Sequence, residues 1–457
     1  MMKNVATDYI AWLFFPSRFL FPQRSDRWSL SDRQAPPIIR VLGWENLQLK
    51  VDPEELTAFN TLVGETFLAG SGNAFLEPLF GKHSAFTLDG PEHRLARRLI
   101  SQAINRASIE QVVEHMPDFL DRELANMTEG RQIRVGKVMR RVTMRAMCLA
   151  ILGVTDETVV QRLLGKFEAA TGYFANLVSY NKAFWKARGK LSVGAEVERR
   201  TTAIDDVILE MIDHRRAIVL QEGVDDHSPR DLLSHLLLSQ TVHGYSDVFI
   251  RDNLVATLAA GYDTTGSAIT WMLFWLGKDM NSRLDLCAYY GTDTVEYDRH
   301  AEAFISEVMR YCPPLEILPR RPVREQAEAA HLDEPTLVCP CPHQIHHSST
   351  VYGDPAAFRP GRFLDRKFAP TEYFPFGLGN RLCLGINLAR RILRVTLDWC
   401  MDTGIYLEFR STKFRPIRRN VSLWPSFRTT AKLMRLRNFP ERESSPSARC
   451  DAGLPAR

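Results

Sequence analysis

Phe376-Gly-Leu-Gly-Asn-Arg-Leu-Cys-Leu-Gly385 is the stretch of this sequence that decides its fold. It places Cys383 in a loop with glycines at 377, 379 and 385, which can adopt positive φ or lie close to a flat ligand. A metal-bound thiolate must stay anionic and shielded from water, and backbone N–H groups in such a loop can point at its sulfur. Apolar residues at helical spacing begin near Asn387. The stretch therefore predicts a metal-bound thiolate where a loop enters a helix, whose N-terminus stabilises the anion.

Five residues of this loop match the haem-binding signature of cytochrome P450 enzymes: Phe376, Gly379, Arg381, Cys383 and Gly385. The chain resembles that family, which implies a mainly α fold with small β-sheets. Haem b (iron protoporphyrin IX) would lie between a long oxygen-binding helix and the cysteine-loop helix. The resemblance implies that Cys383 is the axial ligand of the iron, that Phe376 and Gly377 pack beside its sulfur, and that Arg381 binds a propionate. The alternative is a lone buried cysteine, the usual fate of a free thiol.

A second motif, Ala260-Gly-Tyr-Asp-Thr-Thr265, lies within a long apolar helical pattern. Glycine costs about 1 kcal/mol relative to alanine inside a helix, and a threonine hydroxyl can bond to the carbonyl four residues earlier, so a groove can open here. The same residues are also typical of the start of a new helix. The motif resembles the oxygen-binding helix of cytochrome P450 enzymes. That implies that Ala260 and Gly261 line the oxygen groove, that Thr264 hydrogen-bonds bound dioxygen and that Asp263 supplies protons.

Glu307 and Arg310 stand one helical turn apart and can pair. Such pairs are common and usually have little effect. In the family, this pair takes a second arginine from a Pro-x-Arg-Phe segment, and Arg362 is the match. The resemblance implies a buried charge network for folding and haem retention. Two departures concern only its details: Gly361 stands where the family has glutamate, and His347-Ser-Ser349 replaces its Arg-Asp-Pro.

Two propionates on a buried cofactor require several cations. The resemblance implies three further cofactor-binding residues: His93, Arg97 and Arg320. The first two come from Asp89-Gly-Pro-Glu-His-Arg-Leu-Ala-Arg-Arg98, which resembles the family's His-x-x-x-Arg helix motif. The neighbouring Arg94, Arg98 and Arg321 leave the choice of arginines open, and a solvated helix face is the alternative interpretation.

Cys339-Pro-Cys-Pro-His-Gln-Ile-His-His347 contains two cysteines and three histidines, which are ligands that zinc favours. Its Cys-x-Cys spacing with interleaved prolines differs from the usual Cys-x-x-Cys knuckle. The resemblance aligns His346 with a structural histidine. We therefore predict no metal other than the haem iron.

Length and composition predict one large catalytic domain over residues 1–439, since 45% of the 457 residues are hydrophobic and 25% are charged. The polar, aperiodic residues 440–457 are predicted to form a disordered tail.

Eight scattered cysteines indicate a reducing, cytoplasmic location. A net charge of +4 gives no basis for nucleic-acid binding. The apolar run Tyr9–Phe15 is too short to span a membrane, so no transmembrane anchor is predicted.

Apolar periodicity predicts helices over residues 108–127, 135–152, 201–216 and 252–276. Short strands are predicted at residues 336–339, 405–409 and 431–436.

The family resemblance predicts a monooxygenase that inserts one oxygen atom of O2 into an apolar small molecule, by hydroxylation or epoxidation. A terpenoid, a fatty acid or a polyketide would fit the aromatic residues expected around the pocket: Phe75, Phe80, Phe86, Phe167, Tyr173, Phe174, Tyr180, Phe184 and Trp185. Leu315, Ile317 and the turn Leu423-Trp-Pro425 are expected to line the same cavity. A peroxide-using or rearranging haem-thiolate enzyme is one alternative, and a non-catalytic haem sensor is another.

The sequence shows no flavin or iron–sulfur domain beyond the cysteine loop. We therefore expect a monomer that receives electrons from NAD(P)H through a separate ferredoxin or flavodoxin and its reductase. Four arginines are candidates for a basic docking face: Arg381, Arg390, Arg391 and Arg394. A solvated helix face explains them equally well.

Overall fold

The computed structural model describes residues 38–39, 46–174, 192–222, 231–329, 336–409, 416–419, 422–425 and 430–436. Both the apolar run Tyr9–Phe15 and the tail 440–457 lie outside this part of the chain. The helices are α1 (Pro53–Leu62), α2 (Ala69–Gly72), α3 (Glu77–Phe80), α4 (Gly90–Ala103), α5 (Arg106–Leu124), α6 (Val135–Met147), α7 (Glu157–Phe174), α8 (Val193–Glu222), α9 (Leu232–His243), α10 (Asp247–Lys278), α11 (Met280–Tyr289), α12 (Thr294–Tyr311), α13 (Arg324–Ala329), α14 (Pro342–His346), α15 (Ser349–Tyr352), α16 (Arg362–Asp365) and α17 (Ile386–Thr403).

The strands are short and form four small sheets. They are β1 (Ile38–Ile39), β2 (Asn46–Lys50), β3 (Phe67–Leu68), β4 (Gln132–Arg134), β5 (Arg321–Pro322), β6 (Thr336–Pro340), β7 (Ile405–Phe409), β8 (Pro416–Arg419), β9 (Ser422–Pro425) and β10 (Thr430–Arg435). One sheet has the order β1-β2-β6, with β2 and β6 parallel and Asn46 opposite Thr336. A second sheet is antiparallel in the order β4-β10-β7. The pairs β3-β5 and β8-β9 complete the set.

Helix α10 is the centre of the core. It runs 32 residues, about 48 Å at 1.5 Å per residue, and is buried on most of its circumference. Helix α6 packs closely along it, because a Cβ on Gly261 would meet the Met147 sulfur at 2.2 Å. The Thr143 hydroxyl of α6 also donates to the Tyr262 carbonyl at 2.8 Å. These contacts fix the middle of α10, where the Ala260–Thr265 motif lies.

The predicted mainly α fold with small sheets is confirmed, and its helices and strands fall where periodicity placed them. Their ends differ by up to eight residues, and the largest difference is in α8, which begins at Val193 where periodicity predicted residue 201. Helix α5 begins earlier because Asn105 caps it by accepting from the Ser108 N–H, and α6 continues into a π-helical turn, Cys148–Leu152. The interpretation of Asp263 and Thr264 as the start of a new helix is wrong, because α10 passes through them without a break. In the described part of the chain, no helix combines the length and apolarity needed to span a bilayer.

Candidate active site

The cysteine loop depends on two glycines with positive φ, Gly377 at +82° and Gly379 at +59°. A Cβ on Gly379 would lie 2.4 Å from the Asn60 Oδ1 of α1, so a larger residue would have to displace the Asn60 side chain as well as adopt a positive φ. The Asn380 side chain donates to the Val63 carbonyl at 3.0 Å and holds the loop on the end of α1. The Cys383 N–H donates to the Phe376 carbonyl at 2.9 Å and closes the turn.

The Cys383 side chain is accessible, yet protein surrounds it closely enough that burial raises the pKa of its thiol. A side chain that is accessible but closely surrounded by protein faces an enclosed space. A hydrogen bond from the Gly385 N–H and the charge of Arg97 both act to lower the thiol's pKa. Gly385 itself has φ −87°, so it does not need a left-handed conformation. It contributes its N–H, and α17 begins at the next residue.

Four predicted propionate ligands form one cationic cluster. His93 and Arg97 come from α4, Arg381 from the cysteine loop, and Arg320 from the segment before β5. Arg97 donates to the Leu382 carbonyl at 2.8 Å, which places it against the cysteine loop. Among the described residues, the His93 Nε2, the Arg320 Nε and the Arg381 Nε are buried nitrogens without a hydrogen-bond partner. Buried polar atoms of this kind indicate a missing ligand group.

The electrostatics of this cluster favour an anion. Burial, with repulsion from Arg381 and Arg97, lowers the pKa of His93 to about 3. Burial likewise lowers the pKa values of Arg320 and Arg381 to about 10, with repulsion from Arg381 adding to the effect on Arg320. The Asp89 carboxylate pairs with Arg381 at 2.6 Å and offsets only part of this charge. Two carboxylates of a haem fit the cluster, because they would satisfy the free nitrogens and relieve the repulsion.

The structure also separates the competing arginines. The Arg320 side chain is buried within the cluster, whereas Arg321 belongs to strand β5 and is half-buried. Arg97 contacts the cysteine loop, whereas Arg94 and Arg98 are exposed on α4. The geometry therefore favours Arg320 and Arg97 as the residues that meet a cofactor.

One stripe of α10 is accessible, although the rest of its central part is buried. The stripe consists of Thr257, Ala260, Gly261 and Thr264, spaced three and four residues apart on one helical face. It contains no charge. Thr264 donates its hydroxyl proton to the Ala260 carbonyl at 2.6 Å, which leaves its oxygen able to accept. The residues predicted to form the oxygen groove thus share a single accessible face.

Asp263 lies on a different face from Thr264. Its carboxylate is buried, with 4% exposure, and accepts a hydrogen bond from the Ser422 hydroxyl of β9. The acid and the alcohol are thus neighbours in sequence with distinct environments. Any transfer of a proton from Asp263 to the Thr264 face must pass around the helix.

Glu307, Arg310 and Arg362 meet behind the cysteine loop in a fully enclosed network. Arg310 binds both oxygens of Glu307, through Nε at 2.7 Å and Nη2 at 2.8 Å, and Arg362 Nε approaches the same carboxylate at 3.1 Å. The exposure of the three side chains is 0%, 0% and 3%. Gly361, the departure from the family pattern, begins the short helix α16 that carries Arg362.

The four candidate arginines for a basic docking face are mostly paired with carboxylates. Arg381 points inward and is nearly buried against Asp89. Arg390 pairs with Glu302, and Arg394 pairs with Asp298 at 2.6 Å and with Asp398 at 2.9 Å. Only Arg391 of the four is fully exposed in the described structure. The sequence could not show this because the acidic partners lie on α12 and one turn along α17.

Several aromatic residues expected at the pocket belong to the core instead. Phe80 and Phe167 are buried, and Phe167 packs on Tyr262 with ring centres 5.7 Å apart. Leu423 and Trp424 are also buried. Phe75, Phe86, Leu315 and Ile317 remain partly accessible. The side chains of Tyr173 and Phe174 and the whole of residues Tyr180, Phe184 and Trp185 lie outside the described part of the chain.

The histidines of the Cys339–His347 segment make other contacts. The His346 Nε2 accepts from the Phe374 N–H at 3.0 Å, and the His347 Nδ1 bonds the His343 carbonyl at 2.8 Å. Within the described residues, no group of three or more potential ligands is placed to hold a second metal ion. His346 therefore has the structural role that the family resemblance implied, since its carbonyl also accepts from Arg310 at 2.7 Å.

The model of the cytochrome P450 family matches residues 58–283 and 299–403 of the chain. The chain belongs to the cytochrome P450 family. Among similar P450 proteins is one of Mycobacterium tuberculosis provisionally named cytochrome P450 135A1, 26% identical over 87% of this chain and 86% of its own length. Another, of Mycobacterium bovis, is provisionally named cytochrome P450 135B1 and is 26% identical over 79% and 76%. The solved structure of retinoic acid-bound cyanobacterial CYP120A1 shares the P450 fold, with a TM-score of 0.76, 20% identity and coverage of 93% of this chain and 97% of that one.

As a P450, the protein is a haem monooxygenase in general terms, and the cysteine loop and cationic cluster described above fit that cofactor. Two residues near the site were not assigned from the sequence. Asp89 was read only as part of a helix motif, yet its carboxylate accepts from Arg381 and from the N–H groups of Gly70 and Ser71. Ser422 is 159 positions from the acid that it contacts, so no local pattern could have indicated it.

Proposed function

We propose that this P450 inserts one oxygen atom of O2 into an apolar small molecule, by hydroxylation or epoxidation. Substrate, O2, two electrons and two protons would give the oxygenated product and one water. The observation that carries the proposal is the accessible face of α10, where the Thr264 hydroxyl stands beside an apolar surface and next in sequence to the buried acid Asp263. This acid–alcohol pair suits proton delivery during the reduction of O2.

Haem b would supply the iron chemistry that activates O2, and the Cys383 thiolate would hold its iron. Arg97, Arg320 and Arg381 would hold its propionates as cations, and the neutral His93 imidazole would hydrogen-bond a propionate through its buried Nε2. Phe376 and Gly377 shape the loop around the sulfur.

The proton route would begin at Asp263 and end at the Thr264 face. The Thr264 hydroxyl donates to the Ala260 carbonyl. Its oxygen can accept a hydrogen bond from a neighbouring proton donor, and the hydroxyl can then turn to donate its own proton to another acceptor. Ala260 leaves room beside it because its side chain is short, whereas Gly261 lets Met147 of α6 pack closely against the helix. General acid assistance of this kind is worth about 10² to 10⁴ in rate.

The substrate would be an apolar molecule such as a terpenoid, a fatty acid or a polyketide. The accessible stripe of α10 carries no charge, and the partly accessible Leu315 and Ile317 add aliphatic surface. Electrons would come from NAD(P)H through a ferredoxin or flavodoxin and its reductase. The seven described cysteines carry free thiols, which supports a cytoplasmic location.

The test is turnover under labelled dioxygen with NAD(P)H, a ferredoxin and its reductase, using lauric acid and geraniol as first substrates. We expect one labelled oxygen atom in the product and a dependence on the reductase. Full turnover with hydrogen peroxide alone and none with the reductase would instead support the peroxide-using alternative. Ligand binding without any product would support a sensor.

A pair of threonine variants tests the residue assignment. Thr264→Ala should release most of the consumed electrons as hydrogen peroxide, because the reduced dioxygen loses its hydrogen-bond donor. Thr270→Ala is the matched control: Thr270 makes the same bond to the carbonyl four residues earlier, at 2.7 Å, but its side chain is buried away from the stripe. Equal uncoupling in both variants would refute the role of Thr264.

A further inference from the structure

Strand β9 is bound directly to the buried acid of α10. The Ser422 hydroxyl donates to the Asp263 Oδ2, and the Trp424 indole N–H donates to the Ser422 Oγ at 2.9 Å. All three side chains are enclosed, with exposures of 0% for Ser422, 4% for Asp263 and 2% for Trp424. The strand therefore provides the carboxylate with a hydrogen bond that bulk water does not compete for.

The direction of this hydrogen-bond chain is fixed by its chemistry. An indole nitrogen only donates, so Ser422 must accept from Trp424 and turn its own proton toward Asp263. Chains of this kind strengthen each successive bond. Trp424 is itself held by packing on α6, where its ring lies 5.3 Å from the Arg140 guanidinium. Ser422 is thus oriented to stabilise the ionised form of the acid.

The same strand contacts the segment that follows α12 and carries Leu315. Ser422 forms an antiparallel bridge with Leu315, and the Leu423 N–H donates to the Pro314 carbonyl at 2.9 Å. Leu315 is partly accessible and follows α12 directly. The segment that carries Leu315 is therefore joined by backbone pairing to the residue that holds Asp263.

We propose that Ser422 is a positioning residue, which holds the Asp263 carboxylate. This inference rests on the proposed monooxygenase function, in which Asp263 supplies protons. Ser422 contacts neither substrate nor cofactor in this account. It acts on the reaction through the orientation of Asp263.

The chain offers a matched control in Ser267. Its hydroxyl also joins α10 to β9, because it donates to the Leu423 carbonyl, and it is as buried as Ser422. Trp271 donates to the same carbonyl at 2.9 Å, so the strand keeps an anchor when Ser267 is replaced. Ser267→Ala therefore removes a buried serine bond between the same two elements without touching the acid.

The first measurement needs no turnover. Infrared difference spectra of the purified full-length protein, labelled with ¹³C-carboxyl aspartate, isolate the Asp263 band by subtraction of Asp263→Asn. We expect Ser422→Ala to shift this band, Ser422→Thr to restore it and Ser267→Ala to leave it in place. An unchanged band in Ser422→Ala overturns the proposal. If Ser422→Ala does not fold, Ser422→Cys replaces it: its thiol is a weaker donor and should displace the Asp263 band, and an unchanged band, or an equal displacement in Ser267→Ala, overturns the proposal.

The second measurement is the yield of oxygenated product per NAD(P)H, with lauric acid or geraniol as substrate. We expect Ser422→Ala to lower kcat and the yield about tenfold with little change in KM, and Ser422→Thr to recover both. Equal losses in Ser422→Ala and Ser267→Ala would mean that the serine is merely structural. If the wild type forms no product, the proposed function fails, and the infrared result alone decides whether Ser422 holds Asp263.

Discussion

Replacement of Arg310 by glutamine tests the buried charge network most severely. Arg310 donates two hydrogen bonds to Glu307 and further bonds to the carbonyls of His346 and Pro355, at 2.7 and 3.1 Å. Because the site is closed to water, Arg310→Gln would leave a buried carboxylate with a single arginine, Arg362, and several carbonyls without donors. Removal of one partner from a buried ion pair costs about 3 to 5 kcal/mol.

This cost can be converted into a shift of the melting temperature. At about 2.1 cal/mol/K per residue, the unfolding entropy of 457 residues is about 1 kcal/mol/K, so Tm should fall by about 3 to 5 °C. Differential scanning fluorimetry measures this shift, and haem absorbance per protein chain measures cofactor retention. Both should decline in Arg310→Gln.

The control is Arg299→Gln on the same helix. Arg299 pairs with Glu296 at the same i,i+3 spacing, at 2.6 Å, but its side chain is 55% exposed. An exposed pair is worth about 0 to 1 kcal/mol, so Tm should change by about 1 °C or less. Equal changes of Tm in Arg310→Gln and Arg299→Gln would show that burial does not increase the contribution of the Arg310 network to stability. The reasoning would then be refuted.

Three further predictions concern haem binding, the loop and pH. Arg320→Gln should weaken haem affinity about tenfold or more, whereas Arg321→Gln should not change it. Haem transfer to apomyoglobin measures this affinity, and equal effects in the two variants would contradict the assignment of Arg320. Gly379→Ala should lower Tm more than Gly291→Ala, because both glycines have positive φ but only a Cβ at 379 meets a neighbouring atom, at 2.4 Å. Burial lowers the pKa of His343 from 6.5 to about 3. Between these two pH values the unfolded chain binds a proton at this histidine and the native state does not. The free energy of unfolding is not reduced by this histidine above pH 6.5, and it falls by about 1.4 kcal/mol per pH unit as the pH drops toward 3. His343→Gln should reduce the change in the free energy of unfolding with pH over that range. An unchanged pH dependence would contradict the burial argument.

Sequence patterns were most informative where function requires fixed local spacing. The cysteine loop could be read because Cys383 and its glycines lie within ten residues, and α10 because apolar periodicity extends along its whole length. Glu307 and Arg310 were found as a helical pair. Their burial, however, follows from segments more than thirty residues away, such as the His346 carbonyl.

Contacts between distant elements could not be read in this way. The partners that neutralise Arg394 include Asp298 on another helix, so a row of arginines on α17 looked like a basic face. Phe167 looked like a pocket residue because aromatic composition does not distinguish a cavity from the core. Ser422 has no sequence signal because its role arises only when β9 packs on α10.

The absorption spectrum of the reduced, CO-bound protein tests the central claim most directly. We expect the strongly red-shifted band of a thiolate-ligated haem in the wild type and in Cys287→Ala, whose thiol is half-buried on α11. Cys383→Ala should lose this band, because the sulfur in the glycine loop would be gone. Absence of the band in the wild type, or its survival in Cys383→Ala, would contradict the assignment of Cys383 as the haem ligand.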